Sequence, residues 1–179
     1  MPPSGPIPLL IVFAGLPGVG KTSVARALAR RIDAVHLRID SIEQAIRAGA
    51  PPDREIDDIG YRIARAVAAD NLRLGRTVIA DAVNPVGASR AAWRTLVHSV
   101  PAAAFEIEVV CSDPEEHRRR VETRASDIAG LSLPTWAEIC AEVRSGGYEP
   151  WDRERLVVDT FRRSVDDNVD VIAAALACQ

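Results

Sequence analysis

The sequence predicts an α/β protein built around a parallel sheet, because short apolar runs alternate along it with amphipathic segments. The first apolar run is followed at once by the helix-like segment KTSVARALARRI, and the second is separated from the third by two helical stretches. Each later run also precedes a helical pattern. The strand candidates are LLIVFAG, AVHLRI, TVIADA, FEIEVVC and LVVDT.

Two helices are indicated by apolar residues that recur at helical spacing. The clearer one lies at the C-terminal end, where the spacings are four, three and four, and the other lies between the last two strand candidates. The residues that show the pattern are Val165, Val169, Ile172 and Leu176 in the first helix, and Trp136, Ile139, Cys140 and Val143 in the second.

The alternation breaks between Arg124 and Trp151, where glycines and prolines surround one short helical pattern. Such a composition is typical of irregular backbone rather than core. We therefore expect a small lid, at about residues 124–151, between the last two strands.

Length and composition predict one compact domain with a full core, since the chain has 179 residues of which 47% are hydrophobic. We expect this domain at residues 9–179, after a disordered proline-rich leader at residues 1–8. A net charge of −3 makes nucleic acid an improbable partner. The three cysteines are far apart and form no metal-ligand spacing, which favours reduced thiols in a cytoplasmic protein, a monomer or homodimer with no membrane partner.

The stretch GLPGVGKT, residues 15–22, has the pattern G-x-x-x-x-G-K-[ST] between a strand candidate and a helix candidate. Its glycines let backbone N–H groups converge on phosphate oxygens, and the helix adds its positive dipole end. Lys21 should reach the β and γ phosphates, and the Thr22 hydroxyl should bind Mg²⁺. A glycine turn that merely packs is the alternative, and the strand-helix context disfavours it. The expected nucleotide-binding residues are Gly15, Leu16, Pro17, Gly18, Val19, Gly20, Lys21, Thr22 and Ser23.

Several classes of nucleotide-binding protein fit the sequence poorly. No Asn-Lys-x-Asp guanine-binding run follows the third strand candidate, and Ala82 follows Asp81 where a ring ATPase would have a second acidic residue. The three histidines pair with no Ser or Cys, so a hydrolase triad has little support. A kinase needs a carboxylate near the acceptor hydroxyl and arginines that neutralise the transferring phosphoryl group.

Asp40 and Asp81 are the carboxylate candidates, because each ends a strand candidate, where open α/β sheets bind ligands. The sequence Ser41-Ile-Glu-Gln44 predicts a capping box, and Asn84-Pro85 predicts an N-cap followed by proline. Neither aspartate is then needed as a cap, which favours a functional role for both.

The arginine candidates lie in DPEEHRRRVETR. Helical pairs of Glu115 with Arg119 and of Glu116 with Arg120 would explain much of this run as a solvated face, and Arg118 could pair in the same way with Glu122. Arg120 and Arg124 are also four residues apart, so the two like charges would share a helix face. A polyphosphate between them would offset their repulsion, and at least one of these arginines is expected to contact ATP.

The chain resembles the small P-loop kinases and predicted kinases that are often labelled only AAA family ATPases. This group includes gluconate kinase-like, polynucleotide kinase-like, chloramphenicol phosphotransferase-like and zeta toxin-like members. The resemblance extends from Leu9 to about Thr160 and does not indicate a particular substrate. It is carried by GLPGVGKTSVARALA, RID, GY at 60 and 61, LRLGRTVIADAVNP, HRRRVETR and YEPWDRERLVVDT.

The resemblance implies a P-loop NTPase fold of the nucleoside and nucleotide kinase type. Its five-stranded parallel sheet would have the order 2-3-1-4-5, with helices on both faces and an arginine-bearing lid after the fourth strand. Asp40 matches the carboxylate that orients the acceptor hydroxyl, and Asp81 matches the acidic residue near Mg²⁺ or the acceptor, although the two roles could be exchanged. Arg120 and Arg124 match the lid arginines, and the segment from Asp159 matches the loop that borders adenine.

We therefore hypothesise an ATP- and Mg²⁺-dependent phosphotransferase acting on a hydroxyl of a small molecule. Lys21, Asp40, Arg120 and Arg124 would be the catalytic residues, and Thr22 and Asp81 would bind the metal. Beyond the two aspartates, the substrate candidates are Tyr61, Asn84 and Arg90, and Tyr148 and Trp151 are weaker ones; each could equally be a packing or surface residue. A polynucleotide 5′-hydroxyl kinase and a regulatory nucleotide-binding ATPase without a small-molecule acceptor are the alternatives.

Overall fold

A computed structural model describes residues 7–51 and 58–178. Residues 1–6 of the expected leader lie outside the described part of the chain. The elements are β1 (Leu9–Ala14), α1 (Lys21–Ile32), β2 (Val35–Arg38), α2 (Ile39–Gly49), α3 (Ile59–Arg73), β3 (Val78–Asp81), α4 (Gly87–Val97), β4 (Ala103–Val110), α5 (Pro114–Thr123), α6 (Trp136–Arg144), β5 (Leu156–Asp159) and α7 (Val165–Ala177).

The described strands form one parallel sheet with the order β2-β3-β1-β4-β5, as the resemblance implies. β1 lies at its centre and pairs with β3 and β4, with Phe13 opposite Asp81 and also opposite Ile107. β2 pairs with β3 so that Arg38 lies opposite Asp81. The carboxyl ends of β1, β2 and β3 therefore meet at one edge of the sheet, where ligands bind in folds of this kind.

Helices cover both faces of the sheet, and each face has its own apolar core. On one face, residues such as Ile11 and Phe13 pack with residues of α1 and α7; on the other, Leu10 and Val12 pack with residues of α3 and with Trp93 of α4. Because β1 is buried on both faces, its sequence is continuously apolar rather than alternating. This explains why the strand candidates were recognisable as apolar runs.

The predicted C-terminal helix is confirmed as α7, with Val169 and Ile172 buried against the core. Its N-terminus carries a capping box that the sequence analysis did not identify, in which Ser164 and Asp167 bond each other's backbone N–H groups. The predicted helix between the last two strands is α6, where Ile139 is buried and Val143 is exposed.

Both helix caps predicted near the aspartates are wrong. α2 begins at Ile39 without a loop after β2, so residues 41–44 lie within the helix and Asp40 lies in its first turn. α4 begins at Gly87 with Val86 at the N-cap position. Asn84 cannot cap it, because its buried side chain donates a hydrogen bond to the Phe13 carbonyl at 2.7 Å and accepts one from Trp93 at 3.0 Å.

The ion pairs on α5 agree in part with the sequence. Glu116 accepts hydrogen bonds from Arg120 at 2.7 Å, and Arg118 donates to Glu122 at 2.8 Å, as predicted. The predicted pair of Glu115 with Arg119 is wrong, since Arg119 bonds Glu116 instead. Glu116 thus serves two arginines, whose hydrogen bonds lower the pKa of its carboxyl to about 2.

The segment before β5 is fastened to α4 by a buried arginine. Arg90 is 1% exposed and donates hydrogen bonds to four backbone carbonyls, those of Asn84, Pro85, Glu149 and Pro150. Its guanidinium also stacks on the rings of Trp151, at 4.4 Å from the centroid, and Tyr148. This side chain therefore holds two loops together.

Among the described residues, no helix is both long enough and apolar enough to cross a membrane.

Candidate active site

The glycine-rich turn between β1 and α1 is shaped by backbone conformations that only glycine adopts readily. Gly15 has φ 137°, and its N–H donates to the Val83 carbonyl at 3.1 Å. A Cβ at this position would lie 2.2 Å from the Val109 carbonyl oxygen. Gly20, with φ 99°, occupies the N-cap position of α1 and provides no side chain that could block the first turn. The N-terminus of α1 is thus left open to an anion.

The turn borders a cavity of about 700 Å³. The N-terminus of α1, the residues after β2, the end of α5 and the loop after it, and the residues after β5 all contribute to its wall. Its lining residues include Gly18, Gly20, Lys21, Thr22, Ser23, Arg26, Arg38, Asp40, Arg120, Arg124, Asp127, Thr160 and Arg163. A cavity of this size is large enough for a nucleotide-sized ligand.

Lys21 is held at the first position of α1 with 8% of its surface exposed. Its ammonium donates a hydrogen bond to the Leu16 carbonyl at 3.3 Å, which folds the side chain back over the turn. Burial lowers the pKa of this amine, and the charges of Asp81 and Asp40 oppose the shift. A buried cation directed along the turn is suited to an anionic partner.

Asp81, at the carboxyl end of β3, is 2% exposed. The His36 Nε2 group donates a hydrogen bond to its Oδ2 atom at 3.2 Å. Burial by itself would raise the pKa of the Asp81 carboxyl, but the His36 hydrogen bond, the charge of Lys21 and the nearby Thr22 hydroxyl together hold it below its usual value. The carboxylate is therefore ionised at neutral pH although it is buried.

Asp40 has a different environment from Asp81. Its side chain is 46% exposed and lines the cavity, and it is paired with Arg38, whose Nε atom lies 3.6 Å from Asp40 Oδ2. Its side chain forms no helix cap. Asp40 thus presents a carboxylate to the cavity, whereas Asp81 lies beneath the cavity wall.

Arg120 and Arg124 both line the cavity, although they do not share a helix face. Arg120 lies in the last turn of α5, where it bonds Glu116 and donates to the Thr160 side chain at 2.8 Å and its carbonyl at 3.1 Å. Arg124 follows the helix as its C-cap residue in extended conformation, and its guanidinium bonds the Pro134 carbonyl at 3.3 Å. Burial lowers the pKa of Arg124, whose Nε atom has no hydrogen-bond partner.

Three of the substrate candidates lie away from this cavity. Asn84 is 0% exposed and Arg90 is 1% exposed, and the hydrogen bonds of both are made within the protein. Tyr61 packs against the core formed by β1, α3 and α4, and its hydroxyl accepts a hydrogen bond from the Asn84 N–H at 3.4 Å. Burial raises the pKa of this phenol to about 12. These side chains are packed within the protein next to the carboxyl end of the sheet, and they do not line the cavity.

The weaker candidates Tyr148 and Trp151 also have structural contacts. Tyr148 donates a hydrogen bond to Glu108 on β4 at 3.0 Å, and the guanidinium groups of Arg90 and Arg155 both stack on the Trp151 ring. The segment from 148 to 155 therefore packs against the sheet and α4, at a distance from the cavity lining.

Four charged residues of the cavity lining were not predicted from the sequence, namely Arg26, Arg38, Asp127 and Arg163. Arg26 lies one helical turn after Thr22, so the helix period could have indicated it once the phosphate turn was known. Arg38 is two residues before Asp40 at the end of β2. Asp127 lies in the irregular segment after α5, where no pattern in the sequence distinguishes it from a surface residue.

His117 was assigned no role from the sequence. It donates a hydrogen bond from Nε2 to the Pro17 carbonyl at 2.9 Å, and its ring packs edge to face on Trp136 with centroids 5.0 Å apart. This residue connects the phosphate turn to α5 and α6. The segment expected to act as a lid is thus linked to the phosphate turn through His117.

The fold and the site define a P-loop nucleotide-binding protein with a parallel α/β sheet. The family model described as AAA domain matches residues 10–139, so the chain belongs to the AAA domain family. Among curated protein sequences, none matches this chain.

Solved structures support the same fold. A candidate kinase from Chloroflexus aurantiacus superposes with a TM-score of 0.74 at 22% identity, covering 94% of this chain and 98% of that one. The Mycobacterium tuberculosis APS kinase CysC, in complex with AMPPNP and APS, has a TM-score of 0.67 at 22% identity and covers 97% and 99%. A gluconokinase from Sinorhizobium meliloti has a TM-score of 0.62 at 16% identity and covers 98% and 99%. The fold is that of the small P-loop kinases.

Proposed function

We propose that this protein transfers the γ-phosphoryl group of ATP to a hydroxyl group of a small molecule. The observation that carries the proposal is the placement of Lys21 and Asp40 on one cavity, with the phosphate-binding turn on one side and a half-exposed carboxylate on the other. A nucleotide-binding protein without an acceptor would have no need for the carboxylate. A kinase requires the phosphate-binding lysine and the carboxylate in the same site, so that the acceptor hydroxyl lies next to the γ phosphate.

The nucleotide phosphates would bind at the N-terminus of α1, where backbone N–H groups and the Lys21 ammonium point at the same region. Arg120 and Arg124 would contact the transferring group from the α5 side, since both line the cavity. Thr160 connects this side to the turn, because its hydroxyl bonds the Val19 carbonyl at 2.8 Å and accepts from Arg120. The residues after β5 would then border the adenine ring.

Thr22 and Asp81 are suited to hold a Mg²⁺ ion. A hydroxyl and an ionised carboxylate are hard oxygen donors, and Asp81 stays ionised because of His36 and Lys21. Within residues 7–51 and 58–178 there is no group of three His, Cys, Asp or Glu side chains that would form a metal site of its own. The remaining ligands would therefore be phosphate and water oxygens, as Mg²⁺ prefers. When bound, the ion neutralises charge on the β and γ phosphates.

Asp40 is the better placed of the two carboxylates to accept the acceptor proton, because it opens into the cavity whereas Asp81 is enclosed. In the proposed step, the acceptor oxygen forms a bond to the γ phosphorus while the bond from that phosphorus to the β-phosphate oxygen breaks. The hydroxyl proton passes to Asp40, and ADP leaves with the electron pair of the broken bond. Lys21, Arg120 and Arg124 stabilise the charge that spreads over the transferring oxygens.

The test is ADP formation from Mg·ATP, measured with and without pools of hydroxyl compounds that include sugars, nucleosides, aminoglycosides and short oligonucleotides. We expect a small-molecule pool to stimulate turnover. Asp40→Asn should lower the stimulated rate by about 10²- to 10⁴-fold while ATP binding is retained. Asp70→Asn is the matched control, because Asp70 is an exposed aspartate of α3 whose side-chain partner is Arg73.

Two results would contradict the proposal. Stimulation by oligonucleotides alone would favour a polynucleotide kinase. Tight ATP binding without stimulation by any pool, together with an Asp40→Asn variant that behaves like the wild type, would favour a regulatory nucleotide-binding protein.

A further inference from the structure

The carboxylate of Asp127 is held between two arginines that come from different elements. Arg26 of α1 approaches Oδ2 through Nη2 at 2.6 Å, and Arg38 at the end of β2 donates from Nη1 to Oδ1 at 2.7 Å. Each carboxylate oxygen thus has its own guanidinium. This is the arrangement with which arginines bind the oxygens of carboxylate, phosphate or sulfate groups.

Arg38 is a fixed part of this arrangement. Its side chain is 12% exposed, so it is oriented by the protein rather than by solvent. Its Nε atom is buried without a hydrogen-bond partner, with Asp40 Oδ2 at 3.6 Å. A buried guanidinium with an unused donor is costly unless an acceptor is provided. Arg38 therefore retains capacity for a further oxygen beside Asp40.

The topology places Arg38 and Asp40 on the side of the cavity where the acceptor would bind. The phosphate turn follows the central strand β1, and Arg120, Arg124 and Thr160 reach the cavity from the β4-β5 side of the sheet. Arg38 is the last residue of β2, the opposite edge strand, and Asp40 lies in the first turn of α2, which follows β2 directly. The phosphate turn and the charges of Arg38 and Asp40 thus line different parts of one cavity.

Asp127 is the one member of the group that lies outside the helices and strands. It lies in an irregular segment between α5 and α6, and its side chain is 48% exposed, whereas its two partners project from regular elements. Hydrogen bonds from Arg38, which has the larger effect, and from Arg26 lower the pKa of its carboxyl to about 2, so it remains an anion. Its carboxylate thus contacts the two guanidinium groups in the way that an anionic ligand would.

The local charges balance when Asp127 is in place, since two arginines face Asp127 and Asp40. If Asp127 leaves, one positive charge is unpaired, and a ligand with one negative group restores the balance. We propose that Arg26 and Arg38 form an oxyanion subsite for the acceptor, and that Asp127 occupies it until an acceptor carrying a carboxylate, phosphate or sulfate displaces it. The acceptor is then a small anionic hydroxyl compound, with its hydroxyl at Asp40. This inference rests on the proposed kinase function for its catalytic part.

The first test divides the acceptor pools by charge. Hydroxy acids, sugar phosphates and sugar sulfates are compared with neutral sugars, polyols and nucleosides in the Mg·ATP assay. We expect the anionic pools to stimulate ADP formation. Arg38→Gln should raise the KM for the stimulating compound by about 10- to 100-fold with a smaller change in kcat, because a charge-assisted contact to the acceptor is lost. Equal stimulation by neutral compounds would overturn the inference and leave the kinase function standing.

The second test separates displacement from a simple structural latch. Asp127→Ala removes the internal competitor, so the KM for the anionic acceptor should fall several-fold. A latch that only holds the segment in place would instead give a raised KM. Asp170→Ala is the matched control, because Asp170 of α7 also pairs with an arginine of α1, Arg31, outside the cavity lining. It should leave the KM unchanged.

The third test does not depend on turnover. Inorganic sulfate is titrated into the protein saturated with Mg²⁺ and a non-hydrolysable ATP analogue, and backbone amide shifts are followed by NMR. We expect shifts centred on residues 26, 38 and 127, and about tenfold tighter sulfate binding in Asp127→Ala that is lost when Arg38→Gln is added. Shifts centred elsewhere, or equal affinity in the wild type and Asp127→Ala, would exclude the subsite. This titration decides the subsite even if no pool stimulates turnover and the kinase proposal fails.

Discussion

The His36 Nε2 atom lies 3.2 Å from Asp81 Oδ2, so a histidine of β2 orients the carboxylate at the end of β3. The two residues are 45 positions apart in sequence, and parallel pairing of the strands brings them together. This contact keeps a buried carboxylate ionised and fixed beside the phosphate turn. The stability of the fold should therefore depend on the charge of a residue that is also a candidate metal ligand.

Stability should depend on pH through Asp81. Its folded pKa is below the ordinary value of 3.8, so the ionised carboxylate stabilises the protein above that pH, and this contribution is lost as the pH falls through the folded pKa. Urea unfolding of the wild type and of Asp81→Asn at pH 7 and near pH 3 measures the effect. We expect the difference in unfolding free energy between the two proteins to shrink at the lower pH. A difference that is the same at both pH values would show that His36 and Lys21 do not favour the ionised form.

Lys21 can be tested by chemical labelling, because it is the only lysine in the chain. An amine-reactive acyl-phosphate analogue of ATP should acylate Lys21, and ATP in excess should suppress the label. Since burial lowers the pKa of Lys21 below 10.5, acylation by a simple reagent should reach half its maximal rate below that pH. Peptide mass spectrometry measures both effects.

The same labelling of the protein unfolded in urea is the control for this experiment. Excess ATP should not suppress the label there. Labelling of Lys21 that persists unchanged in excess ATP would argue against a nucleotide at the phosphate turn.

Much of the fold could be predicted from the sequence, because a parallel sheet buried on both faces requires continuous apolar runs. The run TVIADA, for example, contains β3, all four residues of which are buried. The helix starts were harder to predict. Whether Asn84 caps a helix depends on the path of the chain around it, and the buried bonds to Phe13 and Trp93 override its local preference.

The candidate site was predictable where its residues are close together in sequence or follow a strand. The turn from Gly15 to Thr22 is one continuous motif, and Asp40 follows β2 directly. The cluster of Arg26, Arg38 and Asp127 was not predictable, since its members come from α1, β2 and a segment almost 90 residues further on, as the 89-residue separation of Arg38 and Asp127 shows. Only the folded chain brings these charges together.

Arg90 should be among the most important residues for stability. Replacing it with Leu would remove the guanidinium donor from four backbone carbonyls, of which that of Pro85 keeps the Glu149 N–H, so we expect a loss of about 3 kcal/mol or more in the free energy of unfolding. Chemical denaturation measures the change. Arg73→Leu is the control, because Arg73 is half exposed and its ion-pair partner Asp70 is also exposed, and it should change stability by about 0.5 kcal/mol or less. A loss below about 1 kcal/mol for Arg90→Leu would mean that water replaces the guanidinium.

Gly15→Ala should destabilise the protein although it adds a single methyl group. The new Cβ would lie 2.2 Å from the Val109 carbonyl oxygen, which belongs to the neighbouring strand β4 and cannot move without disturbing the sheet, and φ 137° is itself unfavourable for alanine. We expect a loss of about 2–3 kcal/mol in the free energy of unfolding and weaker ATP binding, measured by denaturation and calorimetry. Gly49→Ala in α2 is the matched control: a Cβ there meets nothing within 4 Å, and alanine favours the helix by about 0.5–1 kcal/mol. If both variants were equally stable, the close approach of the turn to β4 would not restrict position 15.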